Sequence, residues 1–269
     1  MIYIVPKPTD TPDDNSTGMV IRALKDRDYP YALLDPDEID PFSPDISGET
    51  IWVCGIRQDG VQFEVISALA LANRMVNDPH TIAVCASKAQ TTARLLRAGV
   101  PTPDTIFTGS REKAEQFLLR HKKAVYKPLY GYDGNGIFPF TDIDELSEGP
   151  YYLQEFVKND RDYRVFVIGG VAVGAIVRVS DTFAHNIHQG GTGTALTELP
   201  DAMKKVAGAA ARAIGIDYCG VDLLEKGDSY TVLEVNGTPN WHCMEAPIPA
   251  LLADYLIRED MKKYVDQDI

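Results

Sequence analysis

Apolar and polar positions alternate in short blocks along the first third of the chain. β-branched runs at residues 2–5, 31–34 and 50–54 are separated by segments at 19–25 and 61–76 whose apolar residues recur at helical spacing. Such a rhythm predicts a small βαβ layer. A helical pattern at 88–98 stops at Gly99, and Pro101 and Pro103 cannot continue it, which marks a joint between this layer and the rest of the chain. Beyond the joint the pattern predicts a strand at 105–108, a helix at 111–121, and strands at 124–127 and 137–140 on either side of a glycine-rich loop. A short polar helix at 144–148 precedes strands at 151–157, 163–168 and 171–179, and Gly169-Gly170 between the last two is a hairpin signal. An alanine-rich helix at 201–214, closed by Gly215, leads to strands at 220–225 and 230–236, and a last helix begins after Pro249. The fold class expected is therefore mixed, with an α/β N-terminal layer before an α+β body, and the divisions expected are 1–85, 86–156 and 157–269.

Composition narrows the classes of function. A net charge of -13 and a pI near 4.8 repel phosphate backbones and anionic lipid, so no nucleic-acid or membrane partner is expected. Cys54, Cys85, Cys219 and Cys243 lie far apart, without a Cys-x-x-Cys pair, which fits reduced thiols better than a disulfide framework or a thiolate zinc site. The apolar start is too short and lacks a basic lead, so it reads as a first strand and not as a signal peptide. With no apolar run of membrane-spanning length, a cytoplasmic location is expected.

Two segments carry candidate chemistry. In Tyr130-Gly131-Tyr132-Asp133-Gly134-Asn135-Gly136, glycines would let backbone N–H groups approach an anion closely. The next residues, Ile137-Phe138-Pro139-Phe140, read as extended, so the loop does not open a helix as a dinucleotide or Walker loop must. Strand, loop, strand suits a flap over nucleotide phosphates with Lys127 beside it, or else a plain glycine-rich hairpin with a solvated lysine. The second segment pairs 220–224 with 232–236. Glu234 and Asn236 share one strand face, and a three-residue turn at 227–229 places Asp222 opposite Glu234. Facing carboxylates repel unless a cation sits between them, and three hard oxygen donors suit Mg²⁺ bridging phosphates. A polar outer face with Glu234 in solvent is the other reading of the same pattern.

These segments occur with Val125-Tyr126-Lys127-Pro128, Gln154-Glu155-Phe156-Val157, Asp162-Tyr163-Arg164-Val165-Phe166-Val167, Asn186 with Gly190-Gly191, and Glu234-Val235-Asn236. Together, from about residue 88 to about 245, they resemble the RimK-type branch of the ATP-grasp superfamily, which adds glutamate or another amino acid to a carboxylate. The resemblance implies an ATP-grasp fold, with an N-terminal βα domain, a small central lid subdomain and a C-terminal antiparallel-sheet subdomain. It implies an ATP- and Mg²⁺-dependent ligase acting through an acyl-phosphate, with Mn²⁺ as an alternative metal. Lys88 and Lys127 would contact ATP phosphates beneath a flap containing Gly131, Gly134 and Gly136. Gln154, Glu155, Phe156 and Val157 would form the hinge beside adenine, and Asp162 would take the ribose hydroxyls with Arg164 nearby. Asp222, Glu234 and Asn236 match the metal ligands, while Arg178 and Asn186 would approach the transferred phosphoryl and the acyl-phosphate oxygens.

The chain departs from the family pattern at Ser87, where Asp usually precedes the first lysine, and at Ala184, where Arg is usual. A small-molecule carboxylate and an amino acid are the expected substrates, and a homo-oligomer is left open, as is a sensor that binds ATP without turnover. Cys219 and Cys243 are expected to be packing residues. His185, His188 and His242 are expected to be solvated or hydrogen-bonded rather than a metal site, and Arg57 to face solvent.

Overall fold

The structure is a computed structural model that describes residues 1–12, 15–43, 45–57, 60–129, 135–180 and 192–265. Strands β1 (Ile2–Val5), β2 (Tyr31–Leu33), β3 (Thr50–Val53) and β4 (Arg74–Val76) form a parallel sheet in the order β2-β1-β3-β4. Parallel neighbours need crossovers, and helices α1 (Ser16–Lys25) and α2 (Val61–Leu69) supply them. The single helical segment expected at 61–76 is two elements, because the Asn73 side chain ends the helix. Its amide donates to the Leu69 and Ile46 carbonyls at 2.9 and 3.1 Å and accepts from the Glu49 N–H at 3.0 Å, so the chain continues as β4 beside β3.

Helix α3 (Pro79–Ala86) is absent from the elements expected above, although its start carries a strong local signal. The Asp78 side chain caps the N–H groups of His80 and Thr81, and proline occupies the first helical position, where a missing N–H costs nothing. Helix α4 (Lys88–Arg97) comes directly after it. Both helices lie against the last sheet of the chain.

A second, antiparallel sheet contains β5 (Thr105–Thr108), β6 (Ala124–Tyr126), β7 (Phe138–Phe140) and β8 (Tyr151–Glu155), in the order β5-β8-β6-β7. Pro139 is tolerated because β7 is an edge strand. Helix α5 (Arg111–His121) covers this sheet with Ala114, Phe117 and Leu118, and a short 3₁₀ turn at Ile143–Glu145 replaces the helix expected at 144–148.

The third sheet is antiparallel, with β9 (Asp162–Ile168), β10 (Val171–Val179), β11 (Thr192–Ala195), β12 (Tyr218–Lys226) and β13 (Ser229–Asn236) in the order β11-β10-β9-β12-β13. Strand β11 is a further element that the pattern did not predict. The Gly169-Gly170 turn has φ of 57° and 77°, the left-handed pair that a tight hairpin with native twist requires. Helix α6 (Asp201–Ile214) buries Met203, Val206, Ala207, Ala210, Ala211 and Ile214 on one face of this sheet. Gly208 is where it comes closest: a Cβ there would lie 2.7 Å from the Gly170 carbonyl oxygen.

Helix α7 (Ile248–Val265) joins the first and third sheets. Leu252 and Leu256 meet Trp52 of the parallel sheet and Phe166 and Tyr218 of the antiparallel one in a single buried cluster. The Trp52 indole N–H donates to the Tyr218 hydroxyl at 3.1 Å, and that hydroxyl donates to the Val53 carbonyl at 3.0 Å, so the polar atoms at this seam are satisfied. Among the described residues, no helix is long and apolar enough to cross a membrane. Leu252→Ala should lower stability by about 2–5 kcal/mol, since the fully buried side chain is shared by two layers that cannot collapse independently. Urea unfolding monitored by tryptophan fluorescence measures this, and an unchanged midpoint would show that α7 does not tie the layers together.

Candidate active site

Alternation along β9 divides its side chains between two surfaces. Tyr163, Val165 and Val167 enter the core beneath α6, while Asp162, Arg164, Phe166 and Ile168 lie on the opposite face. The apolar end of that opposite face, Phe166 and Ile168, is buried against α7 and the parallel sheet. The charged end carries a row across four strands. In register, Arg178 of β10 opposes Asp162 of β9, Arg164 of β9 opposes Asp222 of β12, and Asp222 opposes Glu234 of β13.

Hydrogen bonds follow this register. Arg178 grips Asp162 through two bonds of 2.6 and 2.9 Å and donates a third to Asp222 at 2.8 Å. Arg164 grips Asp222 through bonds of 2.7 and 2.8 Å. Burial disfavours the Asp222 carboxylate, but the two guanidinium groups outweigh it and hold the acid well below its usual range. Among the described residues Arg178 alone hydrogen-bonds the Asp162 side chain, and there burial prevails, pushing the acid up to about 6. Glu234 makes no hydrogen bond or ion pair to a described side chain and is only half-buried.

The turn that sets this register differs from expectation. It has two residues, Gly227 and Asp228, closing on a Lys226–Ser229 pair, with φ of 63° at Gly227. A two-residue turn alone would put Asp222 opposite Leu233. A bulge at Leu233 restores the offset, so Asp222 still faces Glu234. Asn236 pairs with Gly220, two residues along the same face, and its side-chain amide donates to the Gly220 carbonyl at 3.4 Å.

Lys127 leaves the end of β6, its N–H bonded to the Tyr152 carbonyl at 3.1 Å, and is buried. Burial lowers the ammonium to about 8; Glu234 opposes the shift, and Lys88 adds to it. Lys88 opens α4 immediately after Ser87. The Ser87 hydroxyl accepts from the Gln90 N–H at 3.4 Å and serves as the helix cap. Aspartate and serine are both good caps, so the departure at Ser87 keeps the local function that holds Lys88 in place.

The expected hinge begins on β8. Gln154 is buried, its amide donating to the Thr105 hydroxyl at 3.1 Å and to the Tyr152 hydroxyl at 3.4 Å, and Tyr152 shares a 2.6 Å bond with the Thr92 hydroxyl. Pairing with β5 and β6 ends at Glu155, leaving Phe156 and Val157 beyond the ladder. Glu155 is ion-paired with Lys226 at the tip of the acidic hairpin, and Lys123 lies 3.9 Å over the Phe156 ring. Sequence reasoning missed Thr92 and Tyr152, whose roles depend on contact between helix and sheet rather than on any local pattern.

Gly136 is described, with φ of 73°, whereas Gly131, Gly134 and Asn186 lie outside the described residues, as do Ala184, His185 and His188. Arg57 is exposed, as expected. Cys219 is fully buried and its thiol is pushed well up by burial, which suits a packing role. Cys243 is a correction to the expectation of packing: it is exposed, in a loop with φ of 63° that keeps its side chain outside the core.

Among the described residues, no group of three or more His, Cys, Asp or Glu side chains is poised to hold a metal by itself. Glu234 and Asn236 present oxygen donors beside Asp222, whose charge is shared with two arginines. This set fits a hard cation that takes its remaining ligands from phosphates, as Mg²⁺ does, better than a dedicated protein cage.

The RimK-like ATP-grasp domain family matches residues 85–259, and the chain belongs to that family. It is a ligase of the kind that forms C–N bonds. Its relatives include the tetrahydromethanopterin:α-L-glutamate ligase of Methanocaldococcus jannaschii, 32% identical over 221 residues that cover 76% of this chain and 75% of that protein. Human β-citrylglutamate synthase B is 31% identical over 203 residues, covering 68% of this chain and 52% of the synthase. The fold is that of the ATP-grasp ligase PsnB complexed with minimal precursor, Mg and ADP, with a TM-score of 0.76, 21% identity, and coverage of 96% and 98% of the two chains.

Two measurements test these electrostatics. Asp222→Asn should cost roughly 3–5 kcal/mol in urea unfolding, because the buried Arg178 and the half-buried Arg164 lose the charge of their shared partner, whereas Glu234→Gln should change stability by less than about 0.5 kcal/mol. Equal effects would contradict the asymmetry of the row. For Lys127, a pKa near 8 means that the free protein keeps the ammonium at pH 7 and loses it as pH rises through 8. The dissociation constant for a non-hydrolysable ATP analogue, measured by calorimetry, should therefore rise between pH 7 and 9, and Lys127→Met should remove that dependence. A wild-type constant that is flat over this window would show that Lys127 does not meet the phosphates.

Proposed function

We propose that this ligase joins a small carboxylate to the amine of an amino acid, glutamate foremost, through an acyl-phosphate formed from Mg·ATP. The observation that carries the reading is the charge row. Arg164, Arg178, Lys88 and Lys127 gather around Asp162, Asp222 and Glu234, leaving an excess of positive charge on one surface of an acidic protein. Such a surface suits a polyanion that arrives with its own divalent cation. Named glutamate ligases among the relatives support the choice of amino acid.

In this reading Lys88 and Lys127 take the ATP phosphates, with Gly131, Gly134 and Gly136 in the covering flap. Gln154, Glu155, Phe156 and Val157 border the adenine, at the point where the chain leaves its pairing with β5 and β6. Asp162, bonded to Arg178, takes the ribose hydroxyls with Arg164 nearby, while Arg178 and Asn186 approach the transferred phosphoryl group and the acyl-phosphate oxygens. Glu234, Asn236 and Asp222 hold the metal, which supplies charge neutralisation at the phosphate oxygens; Mn²⁺ is expected to substitute for Mg²⁺.

A carboxylate oxygen of the acceptor attacks the γ-phosphorus, and ADP departs. The neutral amine then adds to the acyl carbon, the C–O bond to phosphate breaks, the nitrogen gives up a proton to the departing phosphate, and an amide remains. Lys127 and Arg178 stabilise negative charge in both steps without becoming covalently attached, and the flap keeps water from the activated acyl group. The divisions at 85/86 and 156/157, the cytoplasmic location and the small-molecule partners belong to the same reading.

The test is phosphate release from Mg·ATP by purified protein offered pooled carboxylates with glutamate or other amino acids, with products identified by mass. Release that requires both a carboxylate and an amino acid, accompanied by a product heavier by the amino acid less water, is expected. Glu234→Ala, which leaves the buried arginine pairs intact, should reduce it by about 10²-fold or more. Tight ATP binding without turnover would instead identify a sensor, and a phosphorylated acceptor as the end product would identify a kinase.

A further inference from the structure

The acidic hairpin is hydrogen-bonded as a ladder only as far as the Gly220–Asn236 pair. At the next rung the chain of β13 has already left the sheet at Gly237, and a side chain from another layer fills the gap. Asn77, the first residue after β4, is fully buried and uses every hydrogen-bonding direction it has toward that spot. Its amide nitrogen donates to the Tyr218 carbonyl at 2.8 Å and to the Gly237 carbonyl at 2.9 Å, and its oxygen accepts from the Asp217 and Tyr218 N–H groups at 3.0 Å each. The start of β12 and the exit of β13 are thereby fastened to one rigid amide.

A second constraint acts on Gly237 from the other side. A Cβ at Gly237 would lie 3.2 Å from the Ile82 Cα and 3.3 Å from the Cys85 Cβ, so α3 packs directly on the glycine. That helix is capped by Asp78, the neighbour of Asn77, and it leads through Ser87 to Lys88. The stretch from 77 to 88 therefore holds the strand end that bears Asn236 and also delivers a lysine expected on the phosphates.

We infer that Asn77 is a positioning residue for the ligase reaction, setting the Asn236 end of the metal-side strand relative to Asp222 and Lys88. The inference rests on the metal role proposed for Asn236. Asn77 touches neither metal nor nucleotide. It acts through the Gly237 carbonyl, and its effect is read in metal affinity rather than in the chemistry of the amine.

The experiment measures Mn²⁺ binding by electron paramagnetic resonance in the presence of a non-hydrolysable ATP analogue, beside the Mg²⁺ concentration for half-maximal turnover. In Asn77→Ala that melts cooperatively, Mn²⁺ affinity should fall about tenfold and half-maximal Mg²⁺ rise by a similar factor, while KM for the amino acid moves by less than about twofold. Gly237→Ala keeps the Asn77 amide and forces the strand end off α3, so it should give the same signature and decides the matter if Asn77→Ala does not fold. Folded variants with a lowered melting temperature but wild-type Mn²⁺ affinity would overturn the inference and leave the ligase reading standing. Wild-type protein that binds no Mn²⁺ beside the nucleotide would overturn both.

Discussion

Charge compensation across the face of the third sheet is the constraint on which the site depends. Arg178, Asp162 and Asp222 are drawn into a surface with little access to water, with Arg164 half-buried at its side, and a buried charge survives there only when its partner is held in place. Antiparallel pairing provides that placement without long loops. Residues 162 and 164 share a face because they are two apart, and β9 lies between β10 and β12, so each acid reaches an arginine on the neighbouring strand. The row ends at Glu234, which makes no hydrogen bond or ion pair to a described side chain and faces the field of Lys127, with Lys88 beside that lysine.

This arrangement separates the tasks of one sheet. Phe166, Ile168 and Tyr218 give the lower part of the face to the seam with α7 and the parallel sheet, where dispersion and area burial dominate. Arg164, Asp222 and Glu234 give the upper part to electrostatics. Rigidity of the first supports the second: preorganised charge is effective only if it need not reorganise when the reaction begins. Asp222 illustrates the dual demand. Its two oxygens bind two arginines, so it organises the row as well as offering charge to a cation, and its removal disturbs folding as well as chemistry. Glu234 carries less of that structural burden and is the cleaner probe of function.

Much of this was legible in the chain because the signals are local. The run 162–168 alternates, Gly169-Gly170 can adopt the left-handed pair of a tight turn, and Glu234 and Asn236 share a face by spacing alone. The opposition of Asp222 and Glu234 was expected from a three-residue turn, whereas the structure reaches it through a two-residue turn and a bulge at Leu233. Turn length and bulge offset each other, so the pairing could be read while the backbone path could not. The arginine grips were hidden because they depend on strand order: β9 pairs with β12 across more than a helix of intervening chain. Helix α3 was overlooked although Asp78-Pro79 announces it, and Asn77 gave no signal, since its four partners come from segments far away in sequence.

The central claim is that a carboxylate oxygen bonds to the γ-phosphorus before the amine arrives. Once an acceptor is known, its carboxylate can be labelled with ¹⁸O and the phosphate released during turnover examined by mass spectrometry or by the isotope shift in ³¹P resonance. The account predicts phosphate carrying a single ¹⁸O, because the C–O bond that breaks leaves the carboxylate oxygen on phosphorus. Unlabelled phosphate released alongside amide product would contradict it.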